Sequence, residues 1–186
     1  MGAAHNLENT RAFTHSFVYF SLGLMARYLF IAAFAIAITS VASAQVPSRF
    51  STAIDNFGGH SYSVELRDGK LVYSDTSAKS ATEPTAIIPS PEQWHAFRRA
   101  LDEIGVWAWR QTYMPNEIIV DGTSWSFSVR YPDRSLLTSG GNCYPDAHGE
   151  PTGVPLRTPA FRQFEAAVEA LLGGRSFRSA DDAANR

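Results

Sequence analysis

Apolar and polar residues alternate most strictly at Trp125-Ser126-Phe127-Ser128-Val129-Arg130-Tyr131, where four large apolar side chains take every second position. That period predicts a half-buried antiparallel strand, turned by Pro132-Asp133-Arg134 and answered by a partner strand at Ser135–Ser139. A second alternation, Tyr62, Val64 and Leu66 against serines and Glu65, precedes Arg67-Asp68-Gly69-Lys70 and the run Leu71–Ser74. Asp-Gly between two such runs predicts a tight hairpin, because glycine accepts the positive φ that its turn demands. Thr85–Ile88 reads as a further short strand, and Ile118–Val120 as one leading into the turn at Asp121-Gly122.

The period changes to that of a helix in two places. Trp94, Phe97, Leu101 and Ile104 form one stripe behind Ser90-Pro91-x-Gln93, a capping box with proline at the first helical position, and Gly105 supplies the stop. Phe161, Phe164, Val168, Leu171 and Leu172 form the second stripe behind Thr158-Pro159, closed by Gly173-Gly174. The run Val106–Arg110 reads as extended, which would put Trp107 and Trp109 on one face. Ser139–Pro145 reads as a break, since two adjacent glycines, Asn142 and Pro145 oppose a regular strand. The elements together predict an α+β domain, ββαββα in order. Its antiparallel sheet has about four to six strands, with two helices on one face.

The N-terminal region follows a different pattern. Met25-Ala26-Arg27-Tyr28 is a short basic segment, Leu29–Val41 an apolar run of thirteen residues, and Ala42-Ser43-Ala44 a small-x-small site. This layout predicts a secretory signal peptide cleaved after Ala44, and the apolar run is short of the roughly 20 residues that span a bilayer. Residues 1–24 fit poorly ahead of such a signal, so Met25 is the expected true start. The mature chain then divides into a leader at 45–59, a single domain at 60–174 and a disordered tail at 175–186. The alternative is membrane tethering through an uncleaved N-terminal segment.

Composition narrows the function classes. The 186 residues suit one domain, and the net charge of −2, without basic runs interleaved with aromatics, argues against a nucleic-acid partner. Cys143 is the single cysteine, which rules out an internal disulfide. No familiar nucleotide, metalloprotease or serine-hydrolase motif is present, and no cofactor or metal site is expected.

Candidate chemistry gathers between Trp107 and Glu150. Cys143 with His148, oriented by Asp146, is the sharpest enzymatic reading, since a thiolate needs a base nearby; a structural cysteine at a strand end is the plainer one. His148, Asp146, Glu150, Asp121 and His60 are the residue types of a metal site, but their spacing does not aim them at one point. Trp107, Trp109 and Trp125 offer area for a ligand groove, although core packing accounts for tryptophans more often. Asp121-Gly122-Thr123 and Ser139-Gly140-Gly141-Asn142 can bind a ligand through backbone N–H groups, or merely complete their own turns.

The pattern of Trp109, Tyr113, Asp121-Gly122-Thr123-Ser124-Trp125, Ser139-Gly140-Gly141-Asn142-Cys143-Tyr144-Pro145, Phe161 and Phe164 resembles small bacterial domains of uncharacterised function. Those domains carry an Asp-Gly-Thr-x-Trp turn-strand and a Gly-Ser-Asn-Ala-Tyr-Pro-like segment before a final helix. The resemblance covers about residues 60–172. Gly141 and Cys143 depart from its serine and alanine, which argues against Cys143 as a nucleophile, and Asp146–Arg157 looks like an insertion. It implies the limits of the domain and no activity.

The expectation is an exported, non-catalytic envelope binding or accessory module, with Trp107, Trp109, Asp121, Asn142 and Tyr144 facing an envelope protein or small ligand. An enzyme with an atypical loop site at Asp121, Asn142, Cys143 and His148 is the alternative, and a membrane-tethered structural protein the third.

Overall fold

The computed structural model describes residues 46–77, 80–81, 83–115 and 122–178. The signal region, Ile118–Val120 and Asp121 lie outside them. Ten regular elements and one short turn follow in order: β1 (Arg49–Asn56), β2 (His60–Arg67), β3 (Lys70–Ser77), β4 (Ser80–Ala81), β5 (Thr85–Ile87), α1 (Pro91–Ile104), a 3₁₀ turn (Val106–Ala108), β6 (Thr112–Tyr113), β7 (Thr123–Arg130), β8 (Ser135–Gly141) and α2 (Pro159–Leu171).

The strands form one sheet in the order β4-β3-β2-β1-β7-β8-β6, with β5 also pairing β3. All pairs are antiparallel except β6 with β8. The α+β class therefore holds. The strand count and order do not, because eight strands replace four to six and five of them precede the first helix.

The largest difference is β1, which occupies the stretch read as a leader. Its inward positions are Phe50, Thr52 and Ile54. It joins β2 to β7, with Ile54 opposite Tyr62 and Trp125, and Thr52 opposite Val64 and Phe127. The polar middle residue hides its alternation from a hydrophobicity reading, and Thr52 is satisfied by donating its hydroxyl to Ser126 O at 2.9 Å.

The Asp68-Gly69 hairpin forms as expected, with Arg67 opposite Lys70 and φ of 50° and 75° at the two turn residues. α1 carries the anticipated reciprocal cap: Gln93 N donates to Ser90 Oγ at 3.2 Å and Ser90 N to Gln93 Oε1 at 2.8 Å. α2 starts on Thr158, whose Oγ1 accepts from Phe161 N at 3.0 Å.

Both helices cover the same face of the sheet. The Phe50 ring meets those of Trp94 and Phe97 from α1, and Phe127 meets Phe164 from α2 at 4.7 Å. The opposite face is lined by the other set of each alternation, including Ser51, Ser126 and Ser128. The expected disordered tail is corrected at its start, since Phe177 is fully buried beside Tyr62, its N–H donating to Glu169 Oε1 at 3.0 Å. Residues 179–186 lie outside the description. Among the described residues no helix is long and apolar enough to cross a membrane.

Candidate ligand site

The extended reading of Val106–Arg110 is also corrected. Gly105 turns left-handed at φ 75° and the chain tightens into one 3₁₀ turn, so Trp107 and Trp109 point apart. Trp109 enters the core, within 5.6 Å of the Phe164 ring and 6.2 Å of the Trp125 ring. It is 5% exposed and lies outside the linings of the two cavities described below. Trp107 lies partly buried against Tyr131, with Arg98 and Arg134 over its ring at 5.0 and 5.2 Å. Its indole N–H donates to Asp102 Oδ1 at 2.6 Å.

Ser139–Pro145 is less irregular than its composition implied, since β8 continues through Gly140 and Gly141 opposite Trp125 and Ser124. Gly140 is required by close packing: a Cβ there would stand 2.6 Å from Trp125 Nε1 and 2.8 Å from Cys143 O. The space it leaves admits the Trp125 indole, whose N–H donates to Cys143 O at 2.9 Å.

The chain then turns at Asn142, a non-glycine residue at φ 47°. Its side chain explains the tolerance, because asparagine in this region can bond nearby backbone. Oδ1 accepts from Thr123 N at 2.8 Å, while Asn142 N donates to Thr123 O at 2.9 Å. Gly122 lies so close that a Cβ on it would overlap the Asn142 amide at 1.9 Å. The two sequence motifs, Gly122-Thr123 and Gly140–Tyr144, are thus halves of one structure. Beyond Thr123 the polar chain continues, the Thr123 hydroxyl donating to Asn56 Oδ1 at 2.8 Å.

Tyr144 stacks on Trp125 at 6.4 Å and meets Phe161 at 4.7 Å, which holds the ring in place. Its hydroxyl interacts with Thr123 and Arg157, and burial raises its pKa. A cavity of about 470 Å³ opens here, lined by Thr123, Asn142, Tyr144, Pro155, Leu156, Arg157 and Arg162. A second depression of about 440 Å³, lined by Asn56, Phe57, Gly122, Thr123 and Asn142 among others, adjoins it through Thr123 and Asn142. Both volumes fall in the range of small-molecule sites.

One lining residue, Arg157, belongs to a buried charge pair. Arg157 Nε is 3.1 Å from Glu165 Oε1, but the approach lacks the alignment of a hydrogen bond, and neither carboxylate oxygen accepts one. Glu165 is fully buried. Desolvation raises its pKa to about 7, opposed by the guanidinium of Arg157 and, more weakly, by Arg178.

The cysteine reading does not assemble. The Cys143 thiol is buried, His148 is exposed, and no hydrogen bond joins them among the described residues. Asp146 instead stabilises its own loop, Oδ1 accepting from His148 N at 2.7 Å and Glu150 N at 2.8 Å, and these N–H donors hold its carboxyl below the usual range. No three His, Cys, Asp or Glu side chains converge as metal ligands would among the described residues.

Of the residues singled out from the sequence, Thr123, Asn142 and Tyr144 line this cavity, while Arg157 and Arg162 were not anticipated there. One signal was available. Glu165 falls four after Phe161 and three before Val168, a carboxylate on the apolar stripe of α2. A charge in that position asks for a buried partner, and the loop before the helix holds Arg157. Comparison with protein-family models and with curated proteins finds no match to this chain.

Proposed function

We propose that this protein is an exported, non-catalytic binding or accessory module whose ligand occupies the cavity at Asn142 and Tyr144. Export rests on the basic segment, apolar run and Ala42-Ser43-Ala44 site of the N-terminal region. The observation that carries the binding reading is the convergence of the Gly122-Thr123 and Gly140–Tyr144 segments on one polar cavity. The motifs behind the resemblance to small bacterial domains are these same two segments. Among the described residues the cavity lining holds hydroxyl, amide and guanidinium groups, with no cysteine, histidine or carboxylate to act as nucleophile or base.

A binding module needs such groups fixed before the ligand arrives, since ordering them on association costs affinity. Asn142 and Thr123 fix each other through two hydrogen bonds, and Tyr144 packs against both Trp125 and Phe161. Screening a fragment library by protein-observed NMR tests the reading. Hits should shift the Thr123, Asn142 and Tyr144 amides together. Hits confined to other surfaces, or none at all, contradict it.

A further inference from the structure

We infer that the cavity is an anion site for a small carboxylate with an apolar neighbour, such as the free end of a short peptide. The inference rests on the binding reading above and adds the chemical class of the ligand.

Charge is the first argument. Two of the seven lining residues, Arg157 and Arg162, carry guanidinium groups, and none carries a carboxylate. The whole chain is slightly acidic at −2, so this concentration of positive charge is local. Glu165 is fully buried and is not part of the lining, so the cavity itself presents Arg157 and the exposed Arg162.

Arrangement is the second. Arginine presents a planar fork suited to two carboxylate oxygens. The Asn142 amide and the Tyr144 and Thr123 hydroxyls line the same cavity, with the Tyr144 hydroxyl bonded to both Thr123 and Arg157. The cavity also lies at the start of α2, where the helix dipole adds positive potential.

The rim supplies the third. Pro155 and Leu156 border the same cavity, and Leu156 is 69% exposed. An exposed leucine beside two arginines fits a ligand whose charged end is followed by an apolar group.

The test uses a charge-matched pair: N-acetyl-leucine and its uncharged amide, titrated into the full-length mature protein and followed by NMR, with inorganic phosphate as a third probe. The acid should shift Asn142, Tyr144 and Arg162, and the amide should not. Arg162→Ala should weaken the acid by about tenfold or more, the value of one charge-assisted hydrogen bond, with an unchanged circular dichroism spectrum. Arg162→Lys should restore part of the affinity. Equal binding of acid and amide at these residues overturns the carboxylate assignment and leaves the binding reading intact. Preference for phosphate overturns it in the same way. If neither leucine derivative binds while library fragments still mark the cavity, the assignment alone fails. If nothing marks the cavity, both fail.

Discussion

The regions around Trp107 and around Tyr144 both combine arginines with aromatic rings, and they differ in how many carboxylates accompany them. Around Trp107, Arg98 lies 5.0 Å from the indole centre and 4.5 Å from the Tyr131 ring. It donates from Nη1 and Nη2 to the two oxygens of Asp133 at 3.0 and 2.8 Å and from Nε to Asp102. Arg134 approaches the same two carboxylates, at 3.4 Å to Asp102 and 3.2 Å to Asp133. Two arginines thus meet two aspartates, so the charges of the cluster are matched. The cluster ties the β7–β8 turn to α1.

Around Tyr144, among the described residues, the cavity's two arginines both act on one buried glutamate, which is not part of the lining. The same residue types make a closed clasp in one place and an open receptor in the other. Counting aromatic and cationic residues does not separate the two; counting the carboxylates that reach them does.

The largest expected effect is a pH response of the open region. Glu165 has a folded pKa of about 7 against an ordinary 4.5. Between those values the folded state holds more protons than the unfolded one, so stability falls as pH rises through this window. The groups facing Glu165 are Arg157 from the preceding loop, Arg162 and Glu169 on α2, and Arg178 beyond it. The loss should reach about 3 kcal/mol by pH 8, from 1.36 kcal/mol per pKa unit. Chemical denaturation from pH 4.5 to 8 should therefore show a slope in the native chain that Glu165→Gln removes, whatever the variant's absolute stability. Parallel profiles for the two proteins would refute the buried-carboxylate account.

The clasp responds to acid instead. Hydrogen bonding from Arg98 lowers Asp133 to about 2, so its contribution is present above pH 3.8 and is lost as pH falls toward 2. Replacement should show the clasp's structural role more directly. Arg98→Ala removes the paired contacts with Asp133 and the cover over Trp107 and Tyr131. It should cost about 2 kcal/mol in denaturant titration, with ligand affinity unchanged. A loss of binding without a loss of stability would reverse the roles assigned to the two regions.

Arg162→Ala is the opposite case. Its side chain is exposed and outside the core, so the change in stability should stay within about 0.5 kcal/mol while affinity falls. Gly122→Ala sits between these. Its new methyl would displace the Asn142 amide from Thr123 N. Thermal melting should show a smaller loss than for Arg98→Ala, accompanied by weakened binding. Unaltered affinity would remove Asn142 from the site.

The helices and the central hairpins were legible because local chemistry decides them: Ser90 with Gln93, Thr158 with Pro159, and Asp68-Gly69 each act within a few residues. β1 was not, because Thr52 interrupts its apolar face and its pairing partners lie as far away as Trp125. Trp107-x-Trp109 misled for a related reason. A left-handed Gly105 and a single 3₁₀ turn split two residues that an extended chain would have aligned. In the candidate site, Asn142 and Tyr144 carried a turn signal that could be read locally. The role of Arg157 depends on Glu165, and the two meet only once α2 has folded back beside the loop that precedes it.

The contrast between the clasp and the cavity is tested most directly by observing the four guanidinium groups in one sample. The Nε–Hε resonances of Arg98, Arg134, Arg157 and Arg162 should be followed as N-acetyl-leucine is added to the native protein. The account predicts saturable shifts for Arg157 and Arg162, with Arg98 and Arg134 unmoved. Uniform shifts across all four, or movement of Arg98 and Arg134 alone, would contradict it.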